Sequence, residues 1–200
     1  MRTGSRGAGP LLLVMLICAA CADGAPSTRK SFDRFLAASN DHDLETIGAM
    51  TANDIVWRLG PWTLNGRDQA MSLHYADRIN HTTLQARDVV VRGDTVECTV
   101  IERNDATRAY GPDSLVHHVR YVFRNGMVTL KEPWKRETSI AELNRHSAPF
   151  RAWVRATHPE ALAVILDSTG APRFTRDAVQ ETRQMLERWI AAGKPGLQQP

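Results

Sequence analysis

The sequence predicts an α+β domain followed by a helical extension, and three observations carry that prediction. Phe32, Phe35 and Leu36 recur at three- and four-residue spacing, as on the buried stripe of an amphipathic helix. Two pairs of strand-like runs are joined by short turn sequences, Arg92-Gly93-Asp94 and Arg124-Asn125-Gly126, and Asn-Gly is the strongest short hairpin signal. After Trp134 the pattern turns helical as far as Ala192.

Taken in order, the helix carrying Phe32 is followed by an acid-led segment, Asp43-Leu44-Glu45-Thr46-Ile47-Gly48-Ala49-Met50, whose Leu44, Ile47 and Met50 share one face. Thr51-Ala52-Asn53-Asp54 ends it, and Ile55 to Leu59 reads as a strand closed by a turn at Gly60-Pro61. Gly66-Arg67-Asp68 leads into a helix from Gln69 to Ile79, with Asp68 as its expected N-cap. The strands are Thr83 to Val91, Thr95 to Arg103, Leu115 to Phe123 and Met127 to Trp134, and the connection from Asn104 to Asp113 is long enough for a mouth loop.

The run from Asp43 to Asp54 resembles the pattern D-L-E-x-I-x-x-M-x-A-[DN]-D of the nuclear transport factor 2 superfamily, in particular its SnoaL-like and ketosteroid-isomerase-like members, and Gly66-Arg67-Asp68 is similar to the family's Gly-basic-acid step. The resemblance covers residues 29–136. It implies a curved antiparallel sheet wrapped on helices, forming a cone with one deep apolar cavity, and dimerisation as in many relatives. It also locates the ketosteroid-isomerase groups: the helix-one Tyr falls at Phe35, the strand-one Asp base at Leu59, and a third acid near Val119 or His117. Phe35 has no hydroxyl and Leu59 no titratable group, which argues against steroid isomerisation by that mechanism.

Residues 1–22 read as a signal peptide. Arg2 and Arg6 precede the apolar run from Pro10 to Ile17, too short to span a bilayer as a stable anchor. Ala20-Cys21-Ala22 satisfies an A-x-A cleavage site, whereas Ala19-Ala20-Cys21 resembles the end of a lipobox with residues 1–20 removed and Cys21 lipidated. The chain is therefore expected to be exported, as a periplasmic or cell-envelope lipoprotein or otherwise as a secreted protein, with membrane contact only through the lipid. Cys98 is then the one cysteine of the folded region, and no intramolecular disulfide is expected. Losing Arg2 and Arg6 takes the formal charge of +3 down by two, to about +1, which gives no footprint for nucleic acid.

Strand phase places the candidate site. Val96, Cys98 and Val100 share a face that carries Glu102, and Leu115, Val119, Tyr121 and Phe123 share one that carries His117. With Val100 opposite Val119, Glu102 falls opposite His117, Cys98 opposite Tyr121 and Val96 opposite Phe123. Glu102 and His117 are thus the candidate catalytic pair, since a carboxylate holds the imidazole tautomer for general-base work; the alternative is a structural ion pair. The expected cavity lining is Phe35, Trp57, Leu59, Trp62, Val100, Val119 and Tyr121, with Glu132 as a further inward acid sharing a face with Val128, Leu130 and Trp134. His117 and His118 are neighbours facing opposite sides, and no His-x-His or Cys-x-x-Cys spacing occurs, so neither a metal nor a cofactor is expected.

The extension, residues 137–192, shows helix starts at Ser147 before Pro149, at His158 before Pro159, and at Thr175; residues 193–200 form a tail without apolar pattern. It is expected to brace the outer face of the sheet rather than to close the cone. Three functions fit: binding a small apolar or amphipathic molecule in the cavity, a SnoaL-like hydrolase, dehydratase or cyclase using Glu102 and His117, or a dimerising interaction module.

Overall fold

In the computed structural model the described residues are 27–135 and 139–197. The expected signal segment and the expected lipidation at Cys21 lie outside them.

The chain opens with α1 (Thr28–Asn40), capped by Ser27, whose hydroxyl accepts from the Lys30 N–H at 3.3 Å. Phe32 and Phe35 are buried as the spacing predicts. Next comes α2 (Leu44–Ala49), capped by Asp43 through the Thr46 N–H at 3.0 Å. It leads directly into β1 (Thr51–Leu59), so the strand starts four residues before Ile55. Gly60-Pro61 turns the chain into β2 (Trp62–Asn65), a short strand absent from the sequence reading, and α3 (Arg67–Ile79) follows. Its N-cap is Gly66, not Asp68: Asp68 lies inside the first turn, where its charge favours the positive end of the helix.

The remaining strands are β3 (Thr83–Arg92), β4 (Thr95–Arg103), β5 (Leu115–Arg124) and β6 (Met127–Pro133). Between β4 and β5 the expected mouth loop is instead a helix, α4 (Asp105–Tyr110), capped by Asn104 through the Thr107 N–H at 2.7 Å. Its Thr107, Ala109 and Tyr110 are buried, which removes it from the solvent edge.

The sheet order is β2-β1-β6-β5-β4-β3. It is mixed rather than wholly antiparallel, because β1 pairs with β6 in parallel. Helices α1 and α3 fill the concave face. Phe32 meets Tyr121 edge-on at 5.5 Å, and Phe35 meets Tyr121 and His74 at 6.2 and 5.6 Å. The fold is the α+β cone with a C-terminal helical piece.

That piece comprises α5 (Ser139–His146), α6 (Ala148–Thr157), α7 (Pro159–Ile165) and α8 (Arg176–Ala191). It does not cover the outer face of the sheet. Phe150, Val154, Ala161, Met185, Leu186 and Trp189 close on Ala109 and Tyr110 of α4 as a second apolar core. The two cores are linked where α8 packs on α3, and Gln180 Nε2 donates to the Tyr75 hydroxyl there at 2.8 Å.

Candidate functional site

Alternation in β4 and β5 turns Val96, Cys98, Val100, Val119, Tyr121 and Phe123 into the core. The register differs from the expected one by two residues. Val100 is opposite His117, Cys98 opposite Val119, Val96 opposite Tyr121, and Glu102 opposite Leu115. A slip of two preserves which face each side chain occupies, whereas a slip of one would have reversed it. Glu102 and His117 therefore still share the inner face, as diagonal rather than direct neighbours, a separation that long side chains bridge.

They meet. His117 Nε2 is 3.1 Å from Glu102 Oε2, with the two side chains 14% and 23% exposed. Asn104 Nδ2 donates to the other carboxylate oxygen at 2.7 Å, so the cap of α4 also fixes the Glu102 rotamer. Glu102 is thus fixed by the hydrogen bond from Asn104 on one oxygen, and its other oxygen meets the imidazole at ion-pair distance without hydrogen-bond alignment.

Both residues line an interior cavity of about 80 Å³, walled by Trp57, Leu59, Leu84, Val100, Val119 and Tyr121. Ile140 of α5 covers it from the side of Gly60. Gly60 has φ +57°, and a Cβ there would come within 3.0 Å of the Ile140 side chain, so glycine serves both the turn and the close approach.

Lys131 also lines the cavity, and the sequence reading missed it. Plain alternation from Val128 turns Leu130 and Glu132 inward. The structure shows a bulge instead: Phe123 pairs with Val128 but Val122 pairs with Leu130, leaving Thr129 as an extra residue. Beyond it the phase reverses, so Lys131 stands opposite Tyr121 on one side and Trp57 on the other. Its ammonium lies 3.7 Å from the Trp57 ring centroid and 5.5 Å from that of Tyr121. Burial pushes its pKa down to about 8, against the opposing pull of Asp77, Glu102 and Cys98.

The same bulge corrects the placement of Glu132. It pairs across β5 with Arg120, and its carboxylate accepts from Arg120 Nη1 at 3.3 Å and from Arg58. Arg120 also bridges to Glu97, whose second oxygen takes Arg92 at 2.8 Å. The charges form a chain on the outer face, and Glu132 touches the cavity only at its rim. Trp134 is likewise outside, edge-on to His118 at 6.2 Å.

Of the expected lining, Trp57, Leu59, Val100, Val119 and Tyr121 are in the wall. Phe35 is not: it sits behind the wall, between Tyr121 and His74. Trp62 packs on Phe174 at 6.4 Å, away from the cavity. His74 stacks at 5.4 Å behind Trp57, fully enclosed, and desolvation holds its pKa below the ordinary histidine value. Cys98 is buried beside the cavity, and burial pushes its thiol up to about 11, which makes it a poor nucleophile. Among the described residues no group of three or more His, Cys, Asp or Glu side chains could hold a metal.

Fold and site together define an α+β cone protein with a small cavity that carries an acid–imidazole pair and an amine. No family model matches the sequence, and no curated protein matches it. Among solved structures the chain is similar to an NTF2-like protein of unknown function from Cytophaga hutchinsonii, at 12% identity and a TM-score of 0.45 over 52% of this chain and 86% of that one. It is similar to an LEH-like epoxide hydrolase of M. tuberculosis, at 17% identity and a TM-score of 0.45 over 62% and 95%. A cystatin-fold protein of Novosphingobium aromaticivorans gives 16% identity and a TM-score of 0.46 over 55% and 98%.

Proposed function

We propose that this protein is exported and binds a small apolar or amphipathic molecule inside its cone. The observation that carries the reading is the cavity itself, whose largely apolar wall carries the polar groups of Glu102, His117, Tyr121 and Lys131, with Arg58 and Glu132 also on its lining. An apolar enclosure with a few convergent polar groups is the usual composition of a small-molecule site. Its size restricts the occupant to a short or compact molecule unless Ile140 moves aside.

Titration with an uncharged apolar fluorophore tests this, since Trp57 forms part of the wall. Quenching of its fluorescence, lost in Trp57→Phe, is expected; saturable binding that persists in that variant with an unchanged signal would place the ligand elsewhere. Export is tested by the intact mass of protein from a bacterial host, which should lack residues 1 to 20 and carry a diacylglycerol if Cys21 is lipidated.

A second reading is favoured by the 3.1 Å contact between His117 and Glu102. With the Glu102 carboxylate beside it, His117 could take a proton from water or from an acidic C–H of a bound molecule. On that reading His117→Ala abolishes turnover and leaves fluorophore binding in place.

A further inference from the structure

We propose that Lys131 is a nucleophilic amine that forms an imine with a small aldehyde or ketone bound in the cavity. The inference rests on the cavity being a binding site and names the chemistry of what it binds.

The arginines of the adjoining outer face, Arg58, Arg92 and Arg120, are all engaged with Glu97 or Glu132. Lys131, one residue from Glu132, makes no ion pair and no hydrogen bond among the described residues. A lysine serving structure would pair or extend to water. This one is turned by the bulge into the cavity and held between two aromatic faces.

An amine attacks a carbonyl only when unprotonated, and desolvation in an apolar pocket is the standard means of activating it. The Lys131 pKa of about 8 leaves a useful fraction of free amine near neutrality. The groups that face it are His74 and Asp77 of α3, Cys98 and Glu102 of β4, and His117 and Tyr121 of β5. Of these, Cys98 and Tyr121 hold their protons more tightly than usual, because burial disfavours their anions.

The step balances without an oxidant. The amine nitrogen adds to the carbonyl carbon and the oxygen becomes a hydroxyl, giving a carbinolamine. That hydroxyl leaves as water, with one proton from the nitrogen and one from an acid, and a protonated imine remains. His117 lines the same cavity and can shuttle the second proton.

The test uses the exported full chain, butanal as probe and borohydride, which reduces the imine to a stable secondary amine. The chain has four lysines, Lys30, Lys131, Lys135 and Lys194, so peptide mapping is unambiguous. One adduct per chain on Lys131 is expected, formed at least tenfold faster than on Lys30 or Lys135, both exposed. The rate should rise with pH and level off above about 8. Lys131→Met should abolish the fast adduct and leave only the slow labelling of the other lysines.

Fluorophore binding without an adduct on Lys131 would overturn the imine and leave the binding site standing. Absence of both would overturn the site. If Lys131→Met fails to fold, competition decides: the fluorophore should slow trapping at Lys131 in the unaltered protein, and equal labelling of all four lysines, insensitive to it, would refute the proposal.

Discussion

Two side chains, the buried His74 and the half-buried Lys131, sit where their charged forms are poorly solvated, and each leaves a mark on stability. His74 is enclosed by Phe35 and Trp57, so its folded pKa lies below the unfolded value of 6.5. As pH falls through that value the unfolded chain takes up a proton that the folded one resists, and stability is lost. His74→Phe is expected to flatten the loss below about pH 6.5 in thermal melts, and an unchanged slope would show that His74 is not its source. Lys131 has the opposite window. Its folded pKa of about 8 lies below the unfolded 10.5, so only the unfolded state keeps the proton between those values and stability rises with pH there. Below pH 8 both states are protonated and the full cost of the enclosed charge remains. Lys131→Met is therefore expected to stabilise the fold at pH 7 by about 1–3 kcal/mol in urea denaturation, with the advantage fading toward pH 10. A destabilised variant would mean that the two aromatic faces repay the desolvation in full.

At the scale of the element, the bulge in β6 decides the chemistry of the site. Helix α1, the strands β3 to β6 and the start of α8 at Thr175 are legible in the sequence because periodicity and caps act locally. Glu102 and His117 are legible as inward residues for the same reason, since a strand's phase needs no partner. What fails is what the partner decides. The pairing of β4 with β5 slid by two, the short β2 exists only because β1 offers it an edge, and α4 became a helix because Tyr110 has a second core to enter. Thr129 carries no local sign of being the extra residue, and without it Glu132 reads as inward and Lys131 as solvent-facing. Deleting Thr129 should leave Lys131 opposite Tyr121, at a cost of about 2 kcal/mol or less, because the pairing on either side is kept. Deleting Thr99 in the unbulged middle of β4 should unfold the chain, because every side chain beyond it changes face. Equal losses from the two deletions, measured by urea midpoints, would dispose of the bulge.

Across the whole molecule the helical extension serves two purposes through different residues. Its core, centred on the fully buried Trp189, braces α4 and, through α8, the helix α3 that carries His74. Its first helix, α5, sends Ile140 over Gly60 to close the cavity. If bracing and closing are separable, two substitutions should dissociate them. Trp189→Ala empties a large volume from a closed core and is expected to cost about 3–5 kcal/mol. It leaves the cavity wall untouched, so the association rate of an uncharged apolar fluorophore should stay within about twofold, a difference of roughly 0.4 kcal/mol in barrier. Ile140→Ala removes a side chain that already borders empty space, so its cost should fall near the lower end of the range for such truncations, about 2 kcal/mol. It uncovers the cavity, so the fluorophore should enter at least tenfold faster in stopped-flow quenching of tryptophan fluorescence, corresponding to about 1.4 kcal/mol of barrier. Equal acceleration by both variants would mean that the extension moves as one body, and that entry to the cone is governed by the stability of the second core rather than by one isoleucine.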